Sequence, residues 1–347
     1  MRAATVFPGK PESSRVDELA EPAPRPGELL VEGLLAGVCG TDTAVTENGH
    51  GSLPPGRERM VLFHESVGRV RQAPADSGFA EGDHVVGIVR RPDPRPCGAC
   101  AAGDWDFCLN GEYTERGIKE LDGFGSQLWT IEPDFAVRST PSLGELAVLT
   151  EPTSIVAKAW EQVELIGRRT HFEPYNVLVT GAGPVGLLAA LLGKRRGLDV
   201  HVLDKVTSGP KPELVRDLGA EYHTSLDELG FRPNLVIEAT GSGTVVFDVL
   251  RRTARNAITV LTGISGQERT LPVPAGAIND ELVLDNDVVV GSVNANLRHY
   301  RQAVRALDEA DHDWLHRMIS RRVPLTRWTD ALEQRADDVK IVVDLQD

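Results

Sequence analysis

The sequence has no uninterrupted apolar stretch of the roughly 18 residues that a membrane-spanning helix needs. It also has no basic run, and 51 acidic residues outnumber 37 basic residues to give a net charge of −14. Because this charge would repel nucleic acid, we exclude nucleic acid as a partner. The first residues lack the apolar core of an export signal and predict a strand, so we expect a cytoplasmic protein without a membrane partner.

Cysteine is scarce, and its distribution argues against a disulfide framework. The chain has four cysteines, three of them within twelve residues: Cys39, Cys97, Cys100 and Cys108. Clustered cysteines in a chain of this size favour metal binding in a reducing cytosol. Internal repeats and low-complexity segments are also absent, which excludes a repeat architecture.

The length of 347 residues favours two domains over one compact core. The N-terminal third alternates β-rich runs with Gly/Pro turns, which is typical of an irregular antiparallel domain. From about residue 156, continuous apolar strands such as 176–180 alternate with helical runs, which predicts a parallel sheet covered on both faces. We therefore predict an α/β fold with a catalytic domain of residues 1–155 and 292–347 and a dinucleotide-binding domain of residues 156–291.

A glycine-rich loop, residues 181–186, follows a predicted strand and opens a predicted helix. Gly181 permits the tight turn, Gly183 lets the backbone approach a pyrophosphate, and Gly186 allows close helix–strand packing. The competing interpretation is a strand–helix turn that binds nothing. We favour a Rossmann-type, doubly wound site for a dinucleotide, with further contacts assigned to Pro184, Val185, Asp204, Lys205, Thr240, Gly263 and Val293.

Asp204, at the end of the next predicted strand, bears on the choice of cofactor. A carboxylate there accepts hydrogen bonds from the adenosine ribose hydroxyls. A 2′-phosphate about 4 Å away would meet like charge, at about 4 kcal/mol for an effective dielectric of about 20. Lys205 can offset part of this repulsion, but the pattern predicts NAD over NADP.

Cys39, His64, Glu65 and Glu151 offer a thiolate, an imidazole and two carboxylates, the ligand types of catalytic zinc. Each residue also has a structural interpretation: a lone cysteine or histidine is usually a core residue, and Glu151 before a proline can simply open a helix. Their joint occurrence ahead of the glycine loop favours a metal site beside a dinucleotide site.

Over essentially its whole length the chain resembles the medium-chain zinc-dependent alcohol and polyol dehydrogenase family. The segments that carry the resemblance are 38–42, 64–68, 82–85, 151–152 and 181–186. It implies a GroES-like catalytic domain, a homodimer or homotetramer, and Cys39, His64 and Glu151 as zinc ligands, with Glu65 binding alternately or through water. Phe63 departs from the family, which usually has glycine before the His-Glu pair.

Segments 48–51, 89–92, 111–118 and 291–294 are similar to those of the archaeal-type glucose dehydrogenases within this family. The likeness implies that Glu115 hydrogen-bonds sugar hydroxyls and that Asn294 lies near sugar and nicotinamide. Glu151 fits this subgroup, which favours a carboxylate or amide at that position, and we also assign it to the substrate site.

The cysteines Cys97, Cys100 and Cys108 resemble the structural zinc lobe of the same family, which normally has four cysteines. The first ligand would fall at Pro94, which cannot bind metal, although the adjacent Asp93 can substitute. The alternative is a vestigial loop with free thiols.

The function that the resemblance implies is oxidation of an aldose at its anomeric carbon to the aldonolactone, with zinc as Lewis acid and NAD as hydride acceptor. Thr41 is the predicted first proton acceptor, and His50 is a relay or an ordinary loop histidine. The alternatives are a dehydrogenase of a cyclitol, amino sugar or polyol, and, in another class, a metal-free NAD(H)-binding sensor or structural protein.

Overall fold

The computed structural model describes residues 1–265 and 270–347 and divides the chain into two compact units. The first unit contains Met1–Ser154 and Asn294–Asp347, and the second contains Ile155–Val293. Within the two described ranges, no helix is long and apolar enough to cross a lipid bilayer.

The strands are, in chain order, β1 (Arg2–Phe7), β2 (Lys10–Glu18), β3 (Leu29–Val38), β4 (Met60–Val61), β5 (Glu65–Gln72), β6 (His84–Gly87), β7 (Arg90–Arg91), β8 (Thr114–Arg116), β9 (Glu120–Leu121), β10 (Leu128–Ile131), β11 (Ala136–Arg138), β12 (Asn176–Thr180), β13 (Asp199–Leu203), β14 (Glu221–His223), β15 (Leu235–Glu238), β16 (Ile258–Leu261), β17 (Val288–Gly291), β18 (Ile319–Pro324) and β19 (Lys340–Asp344). The α-helices are α1 (Gly40–Asn48), α2 (Gly98–Ala101), α3 (Thr150–Gly167), α4 (Pro184–Arg195), α5 (Pro210–Asp217), α6 (Gly243–Leu250), α7 (Ala275–Leu284), α8 (Leu297–Asp308) and α9 (His312–Met318). Short 3-10 helices occupy Trp105–Phe107, Pro133–Phe135, Gly144–Leu149, Leu226–Glu228 and Leu325–Ala331.

The first unit is built around a mostly antiparallel sheet with the order β11-β6-β5-β3-β19-β18, in which β10 also pairs with β3. Two smaller sheets accompany it, with the orders β2-β1-β4 and β7-β8-β9. The last strand, β19, runs antiparallel to β3, so that Ile341 pairs with Val38. Apolar residues of these strands and of the segments between them form two buried clusters, one containing Phe63 and Trp328 and the other containing Phe124 and Trp129.

The second unit contains a parallel sheet with the order β14-β13-β12-β15-β16-β17. Its central strand β12 is buried along its whole length, as its continuous apolar sequence predicts. The strand order reverses between β12 and β15, the point at which doubly wound sheets bind ligands at their carboxyl ends. The predicted fold class, a parallel α/β sheet together with an antiparallel β-rich part, is confirmed.

Phe63, the departure from the family pattern, has a left-handed backbone conformation with φ of 71°. Residues other than glycine adopt this region at a cost because Cβ approaches the carbonyl oxygen. The side chain is fully buried and meets the Trp328 ring edge-to-face, with centroids 5.7 Å apart. Aromatic packing therefore offsets backbone strain at the residue immediately before His64.

Candidate active site

The predicted metal-binding residues of the first unit come from adjacent strands. Cys39 follows β3 and caps the N-terminus of α1. His64 immediately precedes β5 and Glu65 begins it, and β5 pairs with β3. Gly37 of β3 lies opposite Glu65, and a Cβ built on Gly37 would be 2.0 Å from Glu65 Oε2. The glycine thus makes room for this carboxylate, and strand pairing brings the side chains together.

The ligand atoms of Cys39, His64 and Glu65 all lie within 4.8 Å of one another. Cys39 Sγ is 3.2 Å from His64 Nε2, and both His64 and Glu65 are buried. A thiolate, an imidazole and a carboxylate at this spacing form a donor set of the kind found in catalytic zinc sites. These residues therefore fit the metal that the sequence predicts.

Two charged side chains that the sequence analysis did not identify complete this cluster. Asp42 Oδ1 lies 3.3 Å from His64 Nδ1, an arrangement that leaves Nε2 directed at Cys39. Lys340 of β19 is fully buried, forms an ion pair with Glu65 and donates to the Val38 carbonyl oxygen. Asp42 within the Cys39 motif could have been noticed, but Lys340 lies in an apolar strand far along the chain, with no local signal.

The charges of the cluster change the proton affinity of its members. Burial opposes the charged form of His64, yet the negative charges of Cys39 and Asp42 raise its pKa well above the usual value. Burial likewise opposes the charge of Lys340, but Glu65 and Cys39 raise its pKa. The site is thus an electrostatic environment that favours cations.

Glu151 lies in the first turn of α3 and is buried. Among the described residues, the ligand atoms of Cys39, His64 and Glu65 lie within 4.8 Å of one another, and Glu151 is not a member of this set. Burial raises the pKa of Glu151 to about 7, with His64 lowering it and Glu65 raising it further. Glu151 is therefore within electrostatic range of the cluster, while Glu65 is its carboxylate member.

Cys97, Cys100 and Cys108 form a second set of ligand atoms within 4.8 Å of one another. The backbone amides of Leu109 and Cys100 lower the pKa of Cys97 to about 6, which favours the thiolate that binds metal. Burial raises the pKa of Cys100 to about 11.

Asp93, the substitute fourth ligand of this lobe, is buried, but it is not grouped with the three cysteines. Its carboxylate accepts hydrogen bonds from Arg95 N and from Asn110 Nδ2, both at 2.7 Å. These two bonds give Asp93 a role in holding the loop that surrounds the cysteines.

The predicted sugar-binding residues are in direct contact. Asn294 Nδ2 donates to Glu115 Oε1 at 2.7 Å, and Arg90 forms an ion pair with the same carboxylate at 3.0 Å. The Arg90 guanidinium also lies 3.7 Å from the centroid of the Tyr113 ring. Glu115 and Asn294 thus form a polar pair whose orientation Arg90 fixes.

The two predicted proton carriers occupy α1 and the turn that follows it. The Thr41 backbone amide donates to Cys39 Sγ at 3.3 Å, which places Thr41 directly beside the metal cluster. His50 is exposed, and its backbone amide donates to the Ala44 carbonyl oxygen.

The glycine loop of the second unit has the geometry that its sequence predicts. Gly181 has φ of 93°, and a Cβ on Gly186 would lie 1.8 Å from the Gly181 oxygen. By contrast, no heavy atom of the described residues lies within 4 Å of a Cβ built on Gly183, which caps α4. Pro184 and Val185 form the first turn of α4, so Gly183 faces the open space at a helix N-terminus.

The remaining predicted cofactor residues lie near this loop or the neighbouring strand ends. Asp204 accepts from Ala182 N at 2.6 Å and from Val206 N at 3.0 Å, and Lys205 follows it as an exposed residue. Thr240 N donates to Glu238 Oε1 at 2.7 Å. The fully buried Glu238 also accepts from Thr180 and Gly241, and the sequence analysis did not identify it.

Gly263 and Val293 lie beyond the next two strands of the sheet. A Cβ on Gly263 would be 2.1 Å from Gly241 N, so this turn packs closely against the Thr240 turn. Val293 is 55% exposed, and its carbonyl oxygen accepts a hydrogen bond from Lys158 Nζ at 2.9 Å.

Comparison with known sequence families places both parts of the chain. Residues 144–345, more than half of the chain, match the family described as Glucose dehydrogenase C-terminus. Residues 25–141 match the Alcohol dehydrogenase GroES-like domain.

Individual relatives match along the whole length. The chain is 37% identical over 357 aligned positions to the glucose 1-dehydrogenase of Methanocella arvoryzae, with 99% of each chain covered. It is 38% identical over 356 positions to the glucose 1-dehydrogenase of Thermoproteus tenax, with 100% of each covered. A solved structure, Haloferax mediterranei glucose dehydrogenase in complex with NADP, Zn and gluconolactone, superimposes with a TM-score of 0.92 at 30% identity and covers 99% of each chain.

These matches confirm the predicted resemblance, because they extend over both units and include the segments that carry the metal-type cluster and the glycine loop. The chain therefore belongs to the glucose dehydrogenase family of the zinc-containing medium-chain dehydrogenases.

Proposed function

We propose that this protein is an NAD(P)-dependent, zinc-requiring dehydrogenase that oxidises an aldose such as glucose at C1 to the aldonolactone. The observation that carries the proposal is the convergence of Cys39, His64 and Glu65 in a chain of the glucose dehydrogenase family. The named activity of the relatives and the gluconolactone in the Haloferax mediterranei structure agree with this substrate class.

Cys39 and His64 would hold the catalytic zinc, together with a carboxylate from Glu65 or Glu151. Bound there, zinc supplies Lewis-acid chemistry to the reacting hydroxyl. Asp42 orients the His64 ring, and Lys340 gives Glu65 a cationic partner when that carboxylate is not a ligand. Cys97, Cys100 and Cys108 would hold a second, structural zinc, with Asp93 as the candidate fourth ligand.

Thr41, beside Cys39, would take up the proton of the substrate hydroxyl while it releases its own hydroxyl proton, and the exposed His50 would pass that released proton to solvent. Glu115 and Asn294 hydrogen-bond the sugar hydroxyls. A polyhydroxylated ring loses many water contacts on binding, so it needs charged and amide partners of this type. Arg90 keeps Glu115 in position through their ion pair.

Glu115→Gln, assayed with a panel of aldoses and cyclitols by absorbance of the reduced nicotinamide, tests the substrate class. We expect glucose-like aldoses to be the best substrates of the wild type, and kcat/KM for them to fall about 10- to 100-fold in the variant. Glu112→Gln is the matched control, because Glu112 is exposed and pairs with Arg95 at the surface. A cyclitol or polyol preference, or equal kcat/KM in Glu115→Gln and the control, would contradict the assignment.

In the second unit, the loop 181–186 and residues Asp204, Lys205, Thr240, Gly263 and Val293 form the dinucleotide site of the proposal. We propose NAD over NADP, on the argument that the Asp204 carboxylate repels a 2′-phosphate. The NADP in the Haloferax mediterranei structure stands against this preference. Asp204→Asn keeps the size and one acceptor oxygen, so the ratio of kcat/KM for NAD to that for NADP should fall. An unchanged ratio would remove Asp204 as the selecting residue.

The division of labour follows the two units. Residues 1–155 and 292–347 are proposed as the catalytic domain and residues 156–291 as the dinucleotide-binding domain, supported by the separation into compact units.

We further propose that the protein forms a homodimer or homotetramer in the cytoplasm. Val283 and Leu284 of α7 and Val289 of β17 are exposed apolar side chains, and β17 ends the parallel sheet. Sedimentation analysis of the purified protein checks the oligomeric state.

A further inference from the structure

A group of metal-binding side chain types also lies in the second unit, in strands β13 and β14. Strand β14 ends the parallel sheet, and in its register with β13 His201 pairs with Glu221 and Leu203 pairs with His223. Because side chains alternate between the faces of a sheet, His201, Glu221 and His223 lie on one face. None of these residues belongs to the glycine loop or to the Cys39, His64 and Glu65 group of the first unit.

The ligand atoms of this group are spaced as a metal would require. His201 Nδ1 lies 2.9 Å from His223 Nε2 and 3.5 Å from Glu221 Oε2, and His223 Nε2 lies 3.8 Å from Glu221 Oε1. Ligands of tetrahedral zinc at about 2.0–2.1 Å from the ion are separated from one another by about 3.3 Å. The observed separations bracket this value.

A carboxylate fixes the orientation of one imidazole. Asp199 Oδ2 lies 3.2 Å from His201 Nε2, so the proton of the neutral ring belongs on Nε2 and the lone pair is on Nδ1. Metal-binding histidines usually donate their second ring N–H to a carboxylate in this way. Phe231 packs against the His201 ring with centroids 4.3 Å apart and further restricts its rotation.

The facing atoms of His201, His223 and Glu221 offer more hydrogen-bond acceptors than donors. His201 Nδ1 and Glu221 can only accept, so in the neutral state the single N–H of His223 has two acceptors to serve. Both imidazoles are buried, whereas the side chains of Glu221 and Asp199 are 65% and 67% exposed, which leaves a path to solvent. With the His223 proton on Nδ1, one cation would bind the lone pairs of both imidazoles and the Glu221 carboxylate, and it would offset the charges of Glu221 and Asp199.

We propose that His201, His223 and Glu221 bind a zinc ion, with Asp199 orienting His201 and water at the fourth position. This site, the β13–β14 histidine site, would clamp the last strand of the sheet to its neighbour. The Asp204 amide donates to the His223 carbonyl oxygen at 3.1 Å, so the clamp also holds the backbone that carries Asp204. Its role is structural support of the dinucleotide-binding unit.

The test is to measure zinc binding to the chelator-treated full chain. Calorimetry gives the affinity, and elemental analysis after removal of free metal gives the stoichiometry. Wild type should bind one more zinc per chain than His223→Gln. Glu221→Gln changes an exposed side chain, so it should fold normally while binding zinc at this site about 10- to 100-fold more weakly. His171→Gln, at an exposed histidine of the same unit, should bind as much zinc as wild type.

Two results would overturn the proposal. If His223→Gln and Glu221→Gln retain the stoichiometry and affinity of wild type, the two imidazoles are an ordinary hydrogen-bonded pair. If His171→Gln loses as much zinc as His223→Gln, the lost zinc was bound non-specifically by surface histidines. Because nothing in this measurement depends on turnover, its outcome is independent of the proposed activity.

Discussion

Phe63 illustrates how one side chain compensates for an unfavourable backbone. Its φ of 71° suits glycine, but its buried ring fills a space beside Trp328 in the core of the first unit. Two neighbouring glycines permit this arrangement, since a Cβ on Gly117 or Gly123 would lie within 3 Å of the Phe63 backbone.

Phe63→Gly should lower the free energy of unfolding by about 1–4 kcal/mol. Removing a buried phenylalanine side chain costs about 3–5 kcal/mol, and relief of the left-handed conformation returns about 1–2 kcal/mol. Denaturant unfolding of the two proteins measures the difference. Phe107→Gly is the control for aromatic loss at an exposed position, and a Phe63→Gly protein as stable as wild type would show that the ring does not compensate.

Residues in local motifs could be predicted from the sequence, and residues in distant contacts could not. Cys39, His64 and Glu65 are identifiable because short segments carry them, and the structure groups them. Lys340 could not be assigned, since its partner Glu65 is far away in the chain and only the pairing of β19 with β3 brings them together. Glu238 was also missed: it ends an apolar strand, and its one distant partner, Thr180, reaches it only through the pairing of β12 with β15.

The connection from β12 to α4 shows that glycines in one loop serve different purposes. At Gly186 the space for a Cβ is filled by the Gly181 carbonyl, whereas at Gly183 the space is open among the described residues. Gly183 also has φ of −77°, which any residue can adopt. Folding therefore requires glycine at position 186, and only a ligand would require it at position 183.

Gly186→Ala and Gly183→Ala should consequently fail in different ways. We expect Gly186→Ala to lose at least about 1–3 kcal/mol of stability, because the backbone must move to accept the methyl group. Gly183→Ala should keep its stability within about 0.5 kcal/mol but bind dinucleotide more weakly. Thermal unfolding and a nucleotide titration of both variants separate the effects. Equal nucleotide affinity in Gly183→Ala and wild type would show that the pyrophosphate does not approach this glycine.

An ion pair ties the segment before β19 to β18. Arg321 donates to both carboxylate oxygens of Asp338, at 3.0 and 2.7 Å. Burial alone would raise the pKa of Asp338, but the hydrogen bonds from Arg321 and from the Arg335 amide outweigh it and lower the pKa below its ordinary value.

Asp338→Asn should therefore destabilise the protein by about 1–3 kcal/mol at neutral pH. A carboxyl group with a lowered folded-state pKa stabilises the fold above its unfolded pKa, and this contribution is lost as the pH falls through the folded value. The difference between variant and wild type should thus shrink in acid, as measured by denaturant unfolding at a series of pH values. Asp337→Asn, at the exposed neighbour, serves as control, and a difference that does not change with pH would contradict the prediction.

Elements with a strong apolar pattern were predictable, and short polar ones were not. Residues 176–180 were predicted as a strand and form β12, since every position is buried. The two-residue strands β7 and β9 have no such pattern, and they pair with opposite edges of β8, the strand that contains Glu115. Their sheet nevertheless positions Glu115, so the role of Glu115 in sugar binding could be predicted only from the family resemblance.

At the level of the molecule, the chain builds two compact units that carry separate parts of the chemistry. The Cys39, His64 and Glu65 group, its charged partners Asp42 and Lys340, and the Glu115–Asn294 pair all belong to the first unit. Strands β18 and β19 complete the main sheet of this unit. The glycine loop, Asp204 and the β13–β14 histidine site belong to the second. The alternation of strands and helices predicted the second unit, and residues 292–347 were predicted to join the first domain. The pairing of β19 with β3 that brings them there is a contact between distant segments, so its register is not encoded locally.

The most direct test is to measure zinc content and turnover on the same samples of wild type and Cys39→Ala, each before and after chelation and zinc return. Wild-type turnover should disappear with one zinc per chain and recover with it, and Cys39→Ala should lack that zinc and turnover while still binding nucleotide. Cys97→Ala controls for metal held by the other cysteines. Fully active protein with no metal bound at Cys39, His64 and Glu65 would contradict the account.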